Sequence, residues 1–545
     1  MAATDPVSEL QSRFASAARS LAGDEREPSG LALKRPPKAD MGDYSSNAAM
    51  LLAPVLGDNP RAIAERLVEQ LASELGESAE KLEVAGPGFV NVFLGDSWYR
   101  DAAARMAAAG DDIGSTSPPA SERILIEFVS ANPTGPLTAA GGRHAAYGDS
   151  VARALELSGH EVIREYYVND AGGQIERFAA SIAARMRGDD PPEDGYEGEY
   201  VSELADKLQA DGVGSDDLDR LAREGAEQMR ASAEGTLRRY GVEFDTWFSE
   251  RTLHEASALT DLIEELRASG EVYESEGATW LRTTAFGDGK DRVLLRSGGE
   301  PTYFLTDIAY HRDKLERSGG SMLDVLGADH HGYTARLRAG LVALGLDPEL
   351  LQFSIMQFVH IVDGGERAQM SKRRGDFVTL DELLDDIGVD ATRFFMLQRS
   401  HDTSIDIDLQ LARAQSVDNP VYYVQYAHAR IASILRKAGE PTVEAALLGS
   451  RPASQDLDPS ERALIRRLLE LPGEIAEAAS RRAPHRLCAY ATATAADYHA
   501  FYRDCQVLGA EGDGVQAERL RLCELTKRTI ARSLDVLGIN APEAM

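Results

Sequence analysis

The chain has 545 residues, of which 43% are hydrophobic and 27% are charged, and its formal net charge is −31. This length predicts about three or four domains, and this composition argues against a mainly disordered chain. The sequence has neither an uninterrupted apolar run of about 18 residues nor an N-terminal signal pattern, so we expect a cytoplasmic protein rather than a membrane-bound or secreted one.

The first part of the chain has the pattern of a small α+β domain, expected over residues 1–115. A helical pattern covers residues 61–75, and the apolar stretch 84–94 contains a Gly-Pro-Gly sequence typical of a turn. Residues 110–121 are rich in Gly, Asp, Ser and Pro, which predicts a linker to the next domain.

A parallel α/β domain is expected next, over residues 120–415. The apolar run 123–129 has the pattern of a strand, and a Pro/Gly loop then leads into a helix that begins near Gly142. That order is typical of the entrance to a nucleotide-binding fold, where a helix N-terminus faces the phosphates. The same domain contains an acidic loop at 188–199 and a helical insertion at 200–239. Two further runs, at 322–326 and 353–362, have the pattern of strands.

From residue 419 to residue 545 the pattern is almost wholly helical, which predicts a separate bundle. The candidate helices are 423–437, 459–470, 483–505 and 518–537. Residues 451–545 hold 13 Lys or Arg and 14 Asp or Glu, so this end is close to neutral and permits a polyanionic partner despite the acidic total. The three widely spaced cysteines argue against a disulfide framework or a zinc site and for buried small side chains: Cys488, Cys505 and Cys523.

Two segments stand out as candidates for chemistry. Residues 127–149 combine a strand, a loop and a helix start, a pattern that a purely structural turn would also produce. Residues 369–380 are basic and contain a glycine, which is equally consistent with a solvated surface loop. The signature region of the first segment comprises Ala131, Asn132, Pro133, Thr134, Gly135, Pro136, Leu137, Thr138, Ala139, Ala140 and Gly141.

In this order the two segments resemble the two signature regions of class I aminoacyl-tRNA synthetases. Further motifs make the chain similar to the bacterial-type arginyl-tRNA synthetase family, and they lie at 42–44, 166–172, 300–311, 327–332, 390–395 and 419–430. The resemblance therefore extends over essentially the whole chain. It implies ATP-dependent ligation of L-arginine to its cognate tRNA through an arginyl-adenylate, with Mg²⁺ accompanying the ATP and with bound tRNA needed for activation.

The resemblance also implies an architecture that agrees with the segmentation. Residues 1–115 would bind the tRNA elbow, residues 120–415 would form a Rossmann-like catalytic domain with a helical insertion, and residues 419–545 would bind the anticodon. A monomer is expected. On the predicted helix after residue 419, the aromatic side chains have two open interpretations, core packing or stacking on bases: Tyr422, Tyr423 and Tyr426, with Arg430 beside them.

By position, the resemblance assigns five residues to arginine binding. Glu127 and Asp307 would face the guanidinium, because a carboxylate against this planar cation forms a bidentate charge-assisted pair. Tyr303 would pack along the side chain of the bound arginine, and Ser130 and Asn132 would hold the polar head of this substrate. Structural alternatives stay open: a surface acid at a strand end for Glu127, a helix N-cap for Asp307 and a core aromatic for Tyr303.

The remaining site residues are assigned to nucleotide binding and catalysis. Attack on the α-phosphate builds negative charge on phosphate oxygens and on pyrophosphate, so cations and preorganised donors are needed, and Lys372 suits this role. The residues expected at ATP are Gly141, Gly142, Gly327, Asp329, His331, Met370 and Lys372. The residues expected to act in catalysis are Lys372, Ser371 and Thr138. For His330 and His331 a structural role is the alternative.

The first signature departs from the family pattern. The family has His-x-Gly-His after the Pro-Leu pair, where this chain has Thr138, Ala139, Ala140 and Gly141. In the second signature, Gln369 stands where the family has the first lysine. Two hypotheses follow. Either the chain is an active ligase in which Thr138, His144 or backbone amides supply the missing donors, or it is a catalytically silent, tRNA-binding paralog. The retained arginine-pocket residues and Lys372 favour the ligase.

Overall fold

The computed structural model describes residues 5–23, 30–118, 120–255, 258–330, 332–367, 378–449, 453 and 455–545. The N-terminal domain consists of α1 (Pro6–Ala22), β1 (Leu33–Lys34), β2 (Tyr44–Ser46), α2 (Ala48–Leu56), α3 (Pro60–Leu75), β3 (Ala79–Ala85), β4 (Phe89–Leu94) and α4 (Asp96–Ala108). Its four strands form an antiparallel sheet in the order β1-β2-β4-β3. The helix predicted over 61–75 and the turn predicted at Gly-Pro-Gly are both confirmed, the latter as the β3–β4 hairpin.

The first half of the central domain consists of β5 (Arg123–Glu127), α5 (Ala139–Leu157), β6 (Glu161–Val168), α6 (Gly173–Arg187), α7 (Glu199–Ala210), α8 (Leu218–Arg239) and β7 (Thr246–Ser249). The connection to the second half consists of α9 (Arg251–Glu255), α10 (Ala258–Ala268), β8 (Val272–Ser275), β9 (Ala278–Leu281) and β10 (Arg292–Leu295). The expected helical insertion is therefore two helices, α7 and α8, separated by a turn.

The second half of the domain begins with α11 (Tyr303–Ser318), β11 (Ser321–Gly327), α12 (Thr334–Ala343), β12 (Leu351–Met356) and β13 (Val359–Asp363). It continues with β14 (Glu366–Arg367), α13 (Leu380–Leu397), β15 (Ile405–Asp408) and α14 (Leu409–Arg413). The prediction of a single strand over 353–362 is wrong. The strand is interrupted at Gln357, and β13 leaves the central sheet to pair with β15.

Five parallel strands form the central sheet in the order β12-β11-β5-β6-β7. The chain moves outward from β5 in one direction through β6 and β7, and in the other through β11 and β12. The strand order therefore reverses between β5 and β11, and in such sheets the crevice beyond the carboxyl ends of these strands is where ligands bind. This arrangement confirms the predicted α/β fold class.

The C-terminal bundle consists of α15 (Pro420–Ala438), α16 (Glu440–Leu448), α17 (Pro459–Leu468), α18 (Leu471–Ser480), α19 (His485–Asp504) and α20 (Val515–Val536). The candidate helices did not include α16 or α18. All three cysteines are buried and free, as expected. Among the described helices, none is both long and apolar enough to cross a bilayer.

The bundle packs against the N-terminal domain as well as the central one. Arg462 pairs with Asp96, and Arg100 pairs with Glu518 at 2.6 Å, so α4 is bound to both α17 and α20. Apolar side chains of all three parts belong to one continuous core. The boundaries 1–115, 120–415 and 419–545 stay predictions, and a truncation at residue 419 would expose this shared core.

Candidate functional site

The loop after β5 is held in a strained conformation at the switch point of the sheet. Val129 has φ 71° and Ser130 has φ 41°, in the left-handed region that costs a β-branched residue about 1–3 kcal/mol. The Ser130 hydroxyl donates to Glu127 Oε1 at 2.8 Å and accepts from the Tyr167 amide at 3.1 Å. These bonds hold the start of the first signature region against β6.

Two acidic side chains lie at this edge of the sheet. Asp307 lies in the second turn of α11, and Glu250, only 4% exposed, follows β7 directly. Burial raises the pKa of Asp307 to about 6, with the negative charge of Glu250 adding to the effect, and burial raises the pKa of Glu250 too. Within the described residues no Lys or Arg forms an ion pair with either acid. Such a pair of carboxylates is suited to a cationic ligand.

Phenol hydroxyls line these acids. The Tyr333 hydroxyl donates to the Asp307 carboxylate, and the Tyr167 hydroxyl donates to Glu250. Tyr303 begins α11 and is 62% exposed, with its hydroxyl next to Gly172. The pocket thus combines two acids with aromatic walls, which suits a ligand that has both a charged planar group and an apolar stem.

Beneath these acids lies a second group of charges that the protein neutralises itself. Lys314 Nζ donates to Glu127 Oε2 at 2.7 Å and also to Asp324, and His311 Nε2 lies 2.7 Å from Asp324 Oδ2. Glu127, His311 and Asp324 have the spacing of metal ligands, but the Lys314 ammonium occupies the cation position between the two carboxylates. The Glu127 charge is therefore compensated within the protein.

The structural alternatives for three predicted pocket residues are wrong. Glu127 is buried, and therefore is not a surface acid. The N-cap position of α11 is occupied by Thr302, so Asp307 does not cap the helix. Tyr303 is too exposed to be a core aromatic.

The other two predicted arginine contacts already have protein partners. The Ser130 hydroxyl is bonded as described above, and Asn132 Nδ2 donates to Gln174 Oε1 at 2.7 Å. The assignments of Ser130 and Asn132 to the substrate stay predictions.

At the start of α5, Thr138 is the N-cap. Its Oγ1 accepts from the Gly141 amide at 3.4 Å, and its carbonyl accepts from the Gly142 amide at 3.0 Å. The expectation that these two amides face a phosphate is weakened, because both are bonded within the first turn. The hydroxyl hydrogen of Thr138 is still available to donate, since Oγ1 serves as the acceptor in the cap.

The last residue of the segment that contains the second signature contacts the first signature region. The Leu380 amide donates to the Leu137 carbonyl at 2.8 Å, and a Cβ on Gly142 would lie 2.7 Å from the Leu380 side chain. Gly142 is therefore needed for the close approach of α5 and α13. Four predicted site residues lie outside the described residues: His331, Met370, Ser371 and Lys372.

The loop after β11 forms the other side of the crevice. A Cβ on Gly327 would lie 2.7 Å from Asp329 Oδ1, so the glycine leaves room for this exposed carboxylate. Burial, reinforced by Arg143, lowers the pKa of His144 to about 4, and the charges of Asp329 and His330 also act on this ring. His144 is thus a neutral imidazole that faces the same loop.

Sequence reasoning missed Glu250, Tyr167, Lys314 and His311. Glu250 follows a strand of only four residues, Thr246–Ser249, which is too short to show a period. Its position directly after that strand is the available signal, because polar side chains at the carboxyl ends of parallel strands meet at one edge. Lys314 and His311 lie within a helix whose inward face becomes recognisable only after the sheet is assembled.

Three family models match the chain. They are described as the arginyl tRNA synthetase N terminal domain, over residues 8–94, the catalytic domain of tRNA synthetases class I (R), over residues 233–433, and the DALR anticodon binding domain, over residues 424–545.

Full-length relatives are similar along nearly the whole chain. An arginine–tRNA ligase of Shouchella clausii is 44% identical over 542 residues, and one of Frankia alni is 45% identical over 538 residues, each covering 96% of both chains. Among solved structures, the arginyl-tRNA synthetase of Thermus thermophilus has a TM-score of 0.78 at 26% identity and covers 99% of this chain and 100% of its own. A putative arginyl-tRNA synthetase of Campylobacter jejuni has a TM-score of 0.77 at 31% identity and covers 83% of this chain and 100% of its own.

Proposed function

Since the chain belongs to the arginyl-tRNA synthetase family and ligates arginine to tRNA, we propose that the crevice between β5 and β11 is its active site. The observation that carries this proposal is the pair of acids, Asp307 and Glu250, to which no described Lys or Arg is paired. ATP is a substrate of this family. Mg²⁺ is proposed to enter with the ATP phosphates rather than on protein ligands.

Arginine is proposed to bind with its guanidinium between the two acids. Asp307 and Glu250 each offer an oxygen pair to the planar cation, and the exposed Tyr303 ring packs along the aliphatic stem. Glu127 is assigned a supporting position, because its two oxygens already accept from Lys314 and Ser130. Its direct contact with the guanidinium stays a prediction. The substrate carboxylate then extends toward Asn132 and the start of α5.

Activation begins when the arginine carboxylate attacks the α-phosphorus of ATP, which forms arginyl-adenylate and releases pyrophosphate. We assign charge stabilisation in this step to Lys372 and to the Thr138 hydroxyl, and a supporting role to Ser371. A hydroxyl of the terminal ribose of the tRNA next attacks the arginyl carbonyl carbon, and AMP leaves. Gly141, Gly327 and Asp329 border the proposed nucleotide side. His331 and Met370 are assigned to the nucleotide by sequence position alone.

Arginine binding is expected to depend on pH through Asp307. Its pKa of about 6 means that protonation removes one of the two negative charges as the pH falls through this value. The kcat/KM for arginine should therefore be constant above about pH 7 and fall by up to about tenfold per unit below pH 6. The test is aminoacylation measured across this range, with the KM for ATP as the control. A flat profile down to pH 5 would show that Asp307 is not the group that binds the cation.

The aromatic side chains of α15 support anticodon binding by the bundle. Tyr426 is 37% exposed and stacks on Tyr422 with ring centroids 6.2 Å apart, and the Arg430 guanidinium lies 4.2 Å from the Tyr502 ring centroid. An exposed stacked pair beside a guanidinium suits a nucleic-acid base. Core packing therefore does not explain Tyr426, whereas Tyr423 does pack against the core.

Replacing Tyr426 is expected to weaken tRNA binding. Tyr426→Ala removes a stacking surface worth about 1–3 kcal/mol per base, so the KM for tRNA should rise roughly 5- to 150-fold with little change in the KM for arginine. The matched control is Leu448→Ala, which removes an exposed apolar side chain, 87% exposed, from the same bundle. If the two variants have equal KM values for tRNA, Tyr426 is not part of the protein surface that binds tRNA.

A groove in the N-terminal domain supports the proposed contact with the tRNA elbow. It has a volume of about 640 Å³ and is lined by Lys34 and Arg35 together with Met41 and Phe89. Cationic side chains beside exposed apolar ones suit a phosphate next to an unstacked base. The groove belongs to a domain that is tied to the bundle through α4.

Aminoacylation of purified tRNA with each of the twenty amino acids tests the proposed function. We expect arginine alone to be transferred. Binding of tRNA without transfer of any amino acid would instead support the silent paralog. A monomer is proposed, to be measured by sedimentation, and a cytoplasmic location is proposed, to be measured by cell fractionation.

A further inference from the structure

Lys314 is a fully buried ammonium beneath the proposed arginine site. Its Nζ lies 2.7 Å from Glu127 Oε2, donates also to Asp324, and lies 4.9 Å from the centroid of the Tyr310 ring. Its side chain has no exposed surface. Burial opposes the charge on this group, but Asp324 and Glu127 outweigh burial and raise the pKa of Lys314 well above its usual range. Lys314 is therefore a permanent cation at neutral pH.

His311 belongs to the same group of side chains. Its Nδ1 lies 2.8 Å from the Asp307 carbonyl oxygen, and its Nε2 lies 2.7 Å from Asp324 Oδ2. His311 therefore links the backbone of Asp307 to the Asp324 carboxylate. Although burial opposes its ionisation, Lys314 and His311 lower the pKa of Asp324, so that it is ionised. Glu127, Asp324, Lys314 and His311 thus form a charge quartet in which the Lys314 ammonium lies between the two carboxylates.

The charge quartet is close enough to act on the acids that face the substrate. Glu127 and Glu250 raise the pKa of Asp307 by repulsion, and His311 lowers it. The groups that face Asp307 come from five elements: Glu127 at the end of β5, Tyr167 on β6, Glu250 after β7, His311 on α11 and Tyr333 before α12. Of these charges, only the one on Glu127 is neutralised by a Lys, and that Lys is Lys314.

We propose that Lys314 is a positioning residue that sets the net charge of the arginine pocket. By pairing with Glu127 and Asp324 it leaves Asp307 and Glu250 as the acids presented to the substrate, and it limits the negative charge that opposes their ionisation. This inference rests on the proposed arginine site. Lys314 does not touch the substrate, and it acts through Glu127 on the ionisation of Asp307.

Replacing Lys314 by an apolar side chain of similar length tests this role. In Lys314→Met the carboxylates of Glu127 and Asp324 lose the ammonium that lies between them, so the negative charge of Glu127 near Asp307 is no longer compensated. Like charges disfavour ionisation, and the acids of the pocket then hold a proton at neutral pH that arginine has to displace. The acidic limb of kcat/KM for arginine should move to higher pH by about one unit or more, while the KM for ATP stays within about twofold.

The matched control is Arg317→Met. Arg317 lies on the same helix and pairs with the fully buried Glu165, outside the charge quartet. Removing either cation leaves a buried carboxylate unpaired, so both variants should lower the melting temperature. Only Lys314→Met should move the pH profile. If the acidic limb of kcat/KM lies at the same pH in both variants and in wild type, Lys314 serves only as a structural ion-pair partner.

A second variant tests the sign of the effect and serves if Lys314→Met does not fold. Glu127→Gln keeps the side-chain shape and leaves Lys314 in place, so a negative charge near Asp307 is removed. Its acidic limb should move to lower pH, opposite to that of Lys314→Met. A limb that stays in place or moves up would overturn the proposal. If wild type transfers no arginine, the proposed function fails; if it transfers arginine but neither variant moves the limb, only this inference fails.

Discussion

Asp307→Asn is expected to raise the KM for arginine by roughly 10²–10⁴-fold. The amide keeps the shape of the side chain but removes an anion that faces a desolvated guanidinium, and leaving such a charge unpaired costs about 3–5 kcal/mol. Glu250 would still face the substrate, so kcat at saturating arginine should fall less than kcat/KM. Steady-state aminoacylation with varied arginine measures both parameters.

The control for this prediction is Asp313→Asn. Asp313 lies on the same helix but pairs with Arg317 at a half-exposed position. An exposed pair of this kind contributes little, so the control should have the KM of wild type. If Asp307→Asn also has the wild-type KM, Asp307 does not bind the guanidinium, and the acid pair at the switch point has another role.

Lys372→Ala is expected to reduce the rate of the chemical step by roughly 10²–10³-fold, because removing one preorganised donor from a charge-stabilising site has about this effect. Thr138→Val should reduce it less, and His144→Ala least. Thr138 has a free hydroxyl hydrogen at the start of α5, where the helix dipole favours anions, whereas the His144 pKa of about 4 leaves a neutral ring that offers a hydrogen bond but no charge. The measurement is single-turnover aminoacylation with saturating ATP, arginine and tRNA.

Arg367→Ala is the control for this series. Arg367 precedes the second signature and pairs on the surface with Asp406. Its loss should leave the single-turnover rate unchanged. If His144→Ala lowers the single-turnover rate more than Thr138→Val does, His144 rather than Thr138 replaces the missing signature histidines. Wild-type protein that binds tRNA but forms no arginyl-tRNA would favour the silent paralog.

The distribution of charge explains how an acidic protein can serve a polyanionic substrate. The C-terminal region 451–545 is close to neutral, and the N-terminal groove is lined by Lys34 and Arg35. These are the two surfaces that we propose for contact with the tRNA phosphates. Because attraction between protein and phosphates is screened within about 10 Å at 0.1 M salt, local charge decides tRNA binding more than the total does.

The sequence by itself determined the features that depend on local pattern or on motif order. The strand 123–127, the helix that follows the first signature and the helical character of the C-terminal bundle were predicted from periodicity, because the period of apolar residues reflects which face is buried. The family was recognised from the order of motifs. Asp307 and Glu127 were named because their motifs match, and the structure brings both to the same edge of the sheet.

Only the tertiary structure decided which charges are free. Lys314 and Glu127 are 187 positions apart in sequence, and nothing in the local pattern of either segment shows that they form an ion pair. Likewise, Glu250 follows a strand too short to be periodic, and it becomes a partner of Asp307 only when β7 and α11 pack together. The physical reason is that the charge of a pocket is a sum over side chains from different elements, and that sum exists only after the chain has folded.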